Sequence, residues 1–324
     1  QAEDGIRDSV ASRGLGDVYK RQDQNKSISL GILLMLAFAI VGPLIDLFAK
    51  LAADEVPIGQ IILSRFLMQA FILLPIALFM TWTHKPNLSE IRLHFLRAFL
   101  ILIGTGSFVS AIKYMPLADA MAIFFVEPFI VTILGGIVLG ETVGNRRIIA
   151  CLIGFFGALF IIKPSFSLFG AVALLPLITA LSFAFYIFLT RKMAQNMNPV
   201  TLQAYTALAA VIILFPIIVY ANGTNIDLLD PVIPSTKSIW LLIGVGIAAI
   251  IAHLFITFAL SLAPATIVAP LQYFEIVTAT LFGYLFFSDF PDHLTFLGIF
   301  IIIFSGLYVI YREHNHTKPT PTSL

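Results

Sequence analysis

The chain has 324 residues and a formal net charge of +1; 59% of it is hydrophobic, only 11% is charged, and its mean hydropathy is +0.97. Soluble domains carry about 25% charged residues, so this composition excludes a soluble fold. The near-neutral charge by itself excludes no partner class, and the lone Cys151 excludes an intramolecular disulfide and any cysteine metal or redox motif.

The first residues, through Asp17-Val-Tyr-Lys-Arg-Gln22, have no apolar core and so do not form a signal peptide. Residues 1–22 read as a non-native leader and are set aside from the fold. Crossing the hydrocarbon core takes about 20 apolar residues. Ten such segments follow, at 28–49, 57–80, 94–113, 117–139, 147–162, 169–190, 201–220, 239–262, 265–287 and 295–311. Short connections join them, many marked by proline: Pro57, Pro86, Pro116, Pro164, Pro199, Pro264 and Pro291. The longest, from Asn222 to Ser238, is too small to fold as a domain. The polar tail at 312–324 is expected to be disordered.

The chain states one motif twice. The run from Pro116 to Glu141 and the run from Pro264 to Asp289 align at one constant offset without a gap, placing Pro116 on Pro264, Glu127 on Glu275, Gly135 on Gly283 and Glu141 on Asp289. Five spans fall on each side of a boundary near Lys163–Pro164. An odd number of spans per copy turns the second copy over. The expected fold is therefore an all-α integral membrane protein, with ten transmembrane helices arranged as two inverted five-helix repeats over 28–163 and 168–311. With the N-terminus inside, Lys26, Lys85, Arg92, Arg97, Arg146, Arg147, Arg191, Lys192, Arg312 and Lys318 face the cytoplasm, against Lys50, Lys113, Lys163 and Lys237 outside. This bias places both termini in the cytoplasm.

Charges inside apolar spans mark candidate sites, because each costs several kcal/mol there. Glu127 and Glu275 each lie eleven residues after a span-opening proline, roughly 16 Å deep at about 1.5 Å per residue. They read either as solute-contacting or proton-coupling acids at the junction of the repeats, or as protonated acids bonded to a neighbouring helix. Arg65 lies some 12 Å into span two by the same rise. Its planar fork suits a carboxylate or phosphate, and pairing with Asp46 or Glu127 is the structural alternative. Asp46 precedes Lys50 by one turn, so it forms either a membrane-edge pair or part of a vestibule. His253, in the middle of span eight, reads as hydrogen-bonded packing or as a pathway residue. Gln272 and Tyr273, within a turn of Glu275, have side chains able to contact a solute. Gly135-Gly136 with Gly140, and Gly154 with Gly157, read as close-packing surfaces.

The layout, the join between repeats, and the P-L-A-D-A…E-P…G…L-G-E run resemble the drug/metabolite transporter superfamily, specifically its EamA-type members. Glu141 and Asp289 match the acid that closes spans four and nine in that family; Lys50 and Arg65-Phe66 match its features in spans one and two. The second repeat departs from the pattern, with Ala207 where an arginine would fall and S-D-F-P in place of G-E. The resemblance covers 28–311 and implies a bacterial inner-membrane carrier of small organic solutes.

The expected function is thus secondary transport by alternating access, with the lipid bilayer and a small-molecule solute as partners and protons as a candidate coupling ion. No nucleic-acid partner, cofactor or bound metal is expected. A membrane-embedded enzyme is the alternative, but the sequence has no H-E-x-x-H, G-x-S-x-G or aspartate-rich metal cluster to support it. A non-transporting receptor or scaffold would need an extramembrane domain.

Overall fold

The structure, a computed structural model, describes residues 2–79, 86–115, 117–138, 145–161, 170–287 and 293–316, with most side chains described between Lys26 and Tyr311. Pro116, Glu141, Asp289, the Lys163–Pro164 boundary and the tail from 317 lie outside the described residues. Every regular element among those described is helical. Seven helices are long and apolar enough to cross a membrane: 26–52 within α1 (Ala2–Ala52), α2 (Ile58–Phe79), α3 (Leu88–Tyr114), α7 (Leu174–Ala194, entered through a 3-10 turn at Gly170–Ala173), α8 (Pro199–Ala221), α9 (Thr236–Leu262), and the interrupted stretch Ala265–Phe286. Shorter apolar helical stretches fall in α5 (Glu127–Val138), α6 (Asn145–Ile161) and α12 (His293–His316). The last of these carries helix past residue 312, where the polar tail was expected to begin.

Two of the apolar segments are broken, each beside a proline. α4 (Leu117–Phe124) stops at Phe124, a turn takes Phe125 and Val126, and α5 restarts at Glu127. Pro128 has no N–H to give the Phe124 carbonyl, and its ring crowds that carbonyl, which weakens the helix there; α1, α2 and α8 nevertheless run through Pro43, Pro75 and Pro216. In the second half α10 (Ala265–Val268) gives way to a 3-10 turn at Ala269–Tyr273 before α11 (Phe274–Phe287) begins. Pro270 does there to the Thr266 carbonyl what Pro128 does to that of Phe124.

Helix ends are set locally. Asn87 caps α3 in a reciprocal box with Glu90, Asn198 accepts from the Val200 N–H with Pro199 opening α8, and Ser235 caps α9. The principal packing pairs all join an early helix to a late one: α1 to α9, α2 to α8, α3 to α7 and α6 to α12. α1 and α9 approach so closely that a Cβ on Gly31 would stand 2.7 Å from the Ala263 Cβ. Large apolar side chains cover the outside as well; Phe71, Phe79 and Ile137 are about four-fifths exposed, as suits a lipid-facing surface. Tyr114, Tyr220 and Trp240 are exposed near helix ends, where amphipathic rings meet the headgroup layer.

At one end of the bundle, the loop between α8 and α9 folds over the α1–α2 turn. Asp230 accepts from the Gly223 and Asn225 N–H groups at 2.8 and 2.9 Å, closing the loop on itself. The loop then joins the first half: Gly59 N–H donates to Leu228 O at 2.8 Å, and Gln60 exchanges two 2.9 Å bonds with Val232. The Glu55 carboxylate accepts from the Ser235 N–H and hydroxyl, each at 2.7 Å, and from the Ser238 hydroxyl. These hydroxyl and amide donors hold the Glu55 carboxyl below its ordinary range.

Candidate functional site

A cavity opens between the halves, bounded by α1, α2, α3, α4, α7, α9 and α11. Phe38, Phe108, Phe124 and Phe183 form much of its apolar wall. The rings of Phe108, Phe124 and Phe183 meet one another at centroid separations of 5.9 and 5.7 Å. Into this apolar shell project Asp46 and Arg65 from the early helices and His253 and Glu275 from the late ones, with the hydroxyls of Thr105 and Thr179 between them. Residues scattered across more than 200 positions of sequence share one chamber because α1–α3 pack against α7–α9.

Arg65 is buried, and its guanidinium donates to the Thr105 hydroxyl at 3.2 Å and to His253 Nε2 at 2.5 Å. A guanidinium offers only donors, so His253 must accept at Nε2 and carry its proton at Nδ1. From there it donates to the Tyr186 hydroxyl at 3.3 Å. Among the described residues Arg65 makes no ion pair within contact distance. Asp46 lines the same cavity, within Coulombic reach of Arg65.

The polar chain continues away from the cavity. Arg97, wholly buried, donates to Tyr186 at 3.0 Å, to Thr190 at 3.1 Å, to Leu202 O at 3.2 Å and to Thr206 at 2.5 Å. Its guanidinium also lies 4.6 Å from the centre of the Tyr186 ring. Gln203 donates to Tyr186 and to His253 O at 3.1 Å each, and to Thr257. On three helices the chain lies one turn beyond a cavity residue: Arg97 beyond Ile101, Tyr186 beyond Phe183, Thr257 beyond His253. It forms the cavity floor. This corrects the sequence reading, which counted Arg97 among cytoplasmic loop charges. The Asn87–Glu90 capping box starts α3 at Leu88, so Arg97 lies well inside the helix. Arg97, Tyr186, Gln203 and Thr257 gave no sequence signal as a group, because the bonds that join them and their partners span 17 to 109 residues of chain.

The remaining candidates stand behind the wall. Glu127, at the first turn of α5, and Gln272 and Tyr273, in the 3-10 turn, are all buried and do not line the cavity. Gln272 approaches the Glu127 carboxyl, yet neither carboxyl oxygen, nor Gln272 Nε2, nor the Tyr273 hydroxyl completes a hydrogen bond of ordinary geometry. The Tyr273 ring sits on Gly154 of α6, where a Cβ would come within 2.6 Å of it. Gly154 therefore makes room for a particular side chain. Glu275 faces the cavity with Oε1 unpartnered and lies within Coulombic range of both Glu127 and Asp46. No group of three or more His, Cys, Asp or Glu side chains among the described residues could hold a metal ion.

The EamA-like transporter family model matches the chain twice, at residues 28–163 and again at 170–312. The chain belongs to the EamA-like transporter family. It is 26% identical to the S-adenosylmethionine uptake transporter of Rickettsia prowazekii (strain Madrid E) over 90% of this chain and 96% of that protein. It is 28% identical to the riboflavin transporter of Vibrio cholerae over 89% and 95% of the two chains. It is 31% identical to a pseudopaline exporter of Pseudomonas aeruginosa over 60% and 66%. A crystal structure 14% identical in sequence matches with a TM-score of 0.69, over 88% of this chain and 98% of the other, and shows the same fold. The transporter is a multi-pass membrane protein for small molecules, and these relatives are named as transporters rather than enzymes.

Proposed function

We propose that the transporter moves a small organic solute across the bacterial inner membrane by alternating access of two inverted five-helix halves, with both termini cytoplasmic and the proton gradient as the driving force. The observation that carries this reading is the shared cavity: Arg65 comes from one half, His253 and Glu275 from the other, so any rocking of the halves remakes the site. A double match to one family model supports two homologous halves. The packing pattern supports their exchange symmetry. Swapping each of the ten apolar segments for its counterpart five segments on turns α1–α9 into α3–α7, and leaves α2–α8 and α6–α12 each paired within itself. The broken fourth and ninth segments fit helices interrupted at a midplane site.

Two polar latches fit the two gates such a cycle needs. The Arg65–His253–Tyr186–Arg97 chain joins the halves on the floor side, and the bonds of Glu55, Gly59 and Gln60 to the 228–238 stretch join them at the opposite end. Each must part in one orientation and close in the other. Arg65 and the two cavity acids favour a solute with polar or charged groups and an apolar body that meets the phenylalanine wall. Relatives named for uptake and for export leave both directions within reach of this architecture.

The test is transport by the purified chain in liposomes loaded with a mixed metabolite panel under an imposed pH gradient. The proposal expects at least one organic solute to cross faster than in protein-free liposomes, and to do so dependent on Arg65. A folded protein that moves nothing in either gradient direction would overturn it.

A further inference from the structure

We infer that Glu127, Gln272 and Tyr273 form a proton-carrying site of their own, set behind the solute cavity and linked to it electrically through Glu275. The inference rests on the transport reading and divides the labour of the two repeat-matched acids. Glu275 meets the solute chamber; Glu127 does not.

Four buried polar atoms on these side chains lack a completed hydrogen bond: both Glu127 carboxyl oxygens, Gln272 Nε2 and the Tyr273 hydroxyl. Glu127 is 0% exposed, and Gln272 and Tyr273 are each 1% exposed. Buried polar atoms are nearly always paired, so a cluster of unpaired ones on three neighbouring side chains is a built feature. Its composition is that of a group meant to exist in two forms. With a proton on Glu127, the acid O–H donates to the Gln272 side-chain oxygen, and the Gln272 amide returns a bond to the acid carbonyl. When the O–H bond breaks, its electron pair stays on the carboxylate and the proton passes to water on the open side. The Gln272 amide is then a donor for the anion, α5 presents its N-terminal dipole to it, and the Tyr273 hydroxyl, beside the Cys151 thiol, lies within Coulombic range. A structural acid needs only one of these arrangements.

Among the described residues, no cation faces Glu127. The titratable groups facing Glu127 are Glu275 from α11, Cys151 from α6 and Tyr273 from the 3-10 turn. α10 contributes Ala265, Thr266, Ile267 and Val268, none of them titratable. On α7, Tyr186 is engaged by Arg97 and His253. Like-charge repulsion between Glu127 and Glu275 is the link: a proton on the first removes a negative charge felt by the second, and Asp46 extends the same field across the cavity. Gly154 fixes the Tyr273 ring against α6 and so fixes the hydroxyl within the site.

The test uses the full chain in two settings. In proteoliposomes, with a solute the wild type moves, the ratio of pH-driven accumulation to gradient-free exchange is measured for wild type, Glu127→Gln and Gln272→Leu. The expected result is a fall of at least about ten-fold in that ratio for both variants, the size that follows from losing one charge-assisted bond. A wild-type ratio in Glu127→Gln, or accumulation driven by a sodium gradient and not by pH, overturns the site. In detergent, infrared difference spectra between mildly acidic and mildly alkaline buffer should show a carboxylic acid band that titrates in wild type, is absent in Glu127→Gln and is displaced in Gln272→Leu. A titrating band unchanged in Glu127→Gln overturns the site even if no solute is moved; a wild type that moves no solute yet loses the band in Glu127→Gln overturns the transport reading alone.

Discussion

Among the described residues, Arg97 has no carboxylate partner within contact distance; its permanent charge is satisfied by three side-chain oxygens, one carbonyl and a ring face. Arg97→Gln keeps some length but strands several of those acceptors. A buried hydrogen bond to a charged group is worth about 1.5–3 kcal/mol, so the variant should lose about 3 kcal/mol of stability, read as a lowered midpoint of thermal unfolding in detergent. Arg97→Lys should recover little, because an ammonium cannot spread over the four partners that a guanidinium fork reaches. Arg65 differs in having cavity on one side. Arg65→Gln should lower the thermal midpoint less than Arg97→Gln does, since it strands two acceptors rather than four. It should weaken solute binding by about ten-fold or more, measured as a rise in the half-saturating solute concentration. A large stability loss with unchanged half-saturation would assign Arg65 to packing. Glu55 gives the pH dependence. Its folded-state value is lowered by the Ser238 and Ser235 hydrogen bonds, so its contribution is fully present above the unfolded value of 4.5 and disappears as the pH falls through the lower folded value. Hydrogen exchange at Ser235 and Ser238 should therefore accelerate only in that acid window, and Glu55→Gln should remove the pH dependence.

At the scale of elements, a proline accompanies each broken segment, but proline alone does not break a helix here, since α1, α2 and α8 run through Pro43, Pro75 and Pro216. Pro128 and Pro270 each sit where a carbonyl four residues back would need their missing N–H, yet they occupy different positions in the repeat-aligned sequence. Replacing Pro128 with Ala restores the donor to the Phe124 carbonyl. Exchange at Phe125 and Val126 should slow, and transport should fall as the midplane break straightens; unchanged exchange would mean that packing, rather than proline, holds the turn open. The helical segments were legible because apolar runs near 20 residues admit few other readings. The breaks were less so, since hydropathy is blind to backbone hydrogen bonding and Glu127-Pro128 reads as one more apolar-span dipeptide. Arg97 was misplaced for a similar reason: hydropathy put the start of span three near 94, while the Asn87–Glu90 cap put it at Leu88. Arg65, His253, Asp46 and Glu275 stood out as charges in apolar runs. Tyr186, Gln203 and the threonines did not, since neutral polar residues in such runs are common and only tertiary packing brings these together.

Across the whole molecule, the cavity, the floor chain and the strap between Glu55 and Ser238 form one vertical series, and each joins early helices to late ones. If the halves rock, the cavity must meet water first on one face and then on the other. The chain has a single native thiol, the buried Cys151, so a Cys151→Ser background frees the site for one reporter. A cysteine placed at Thr179, in the cavity wall, and reacted in proteoliposomes with a membrane-impermeant thiol reagent added to one face and then to the other measures this directly. The account predicts labelling from both faces, with a transported solute shifting the balance between them. Labelling from one face only, whatever the solute or pH gradient, would contradict alternating access through this cavity.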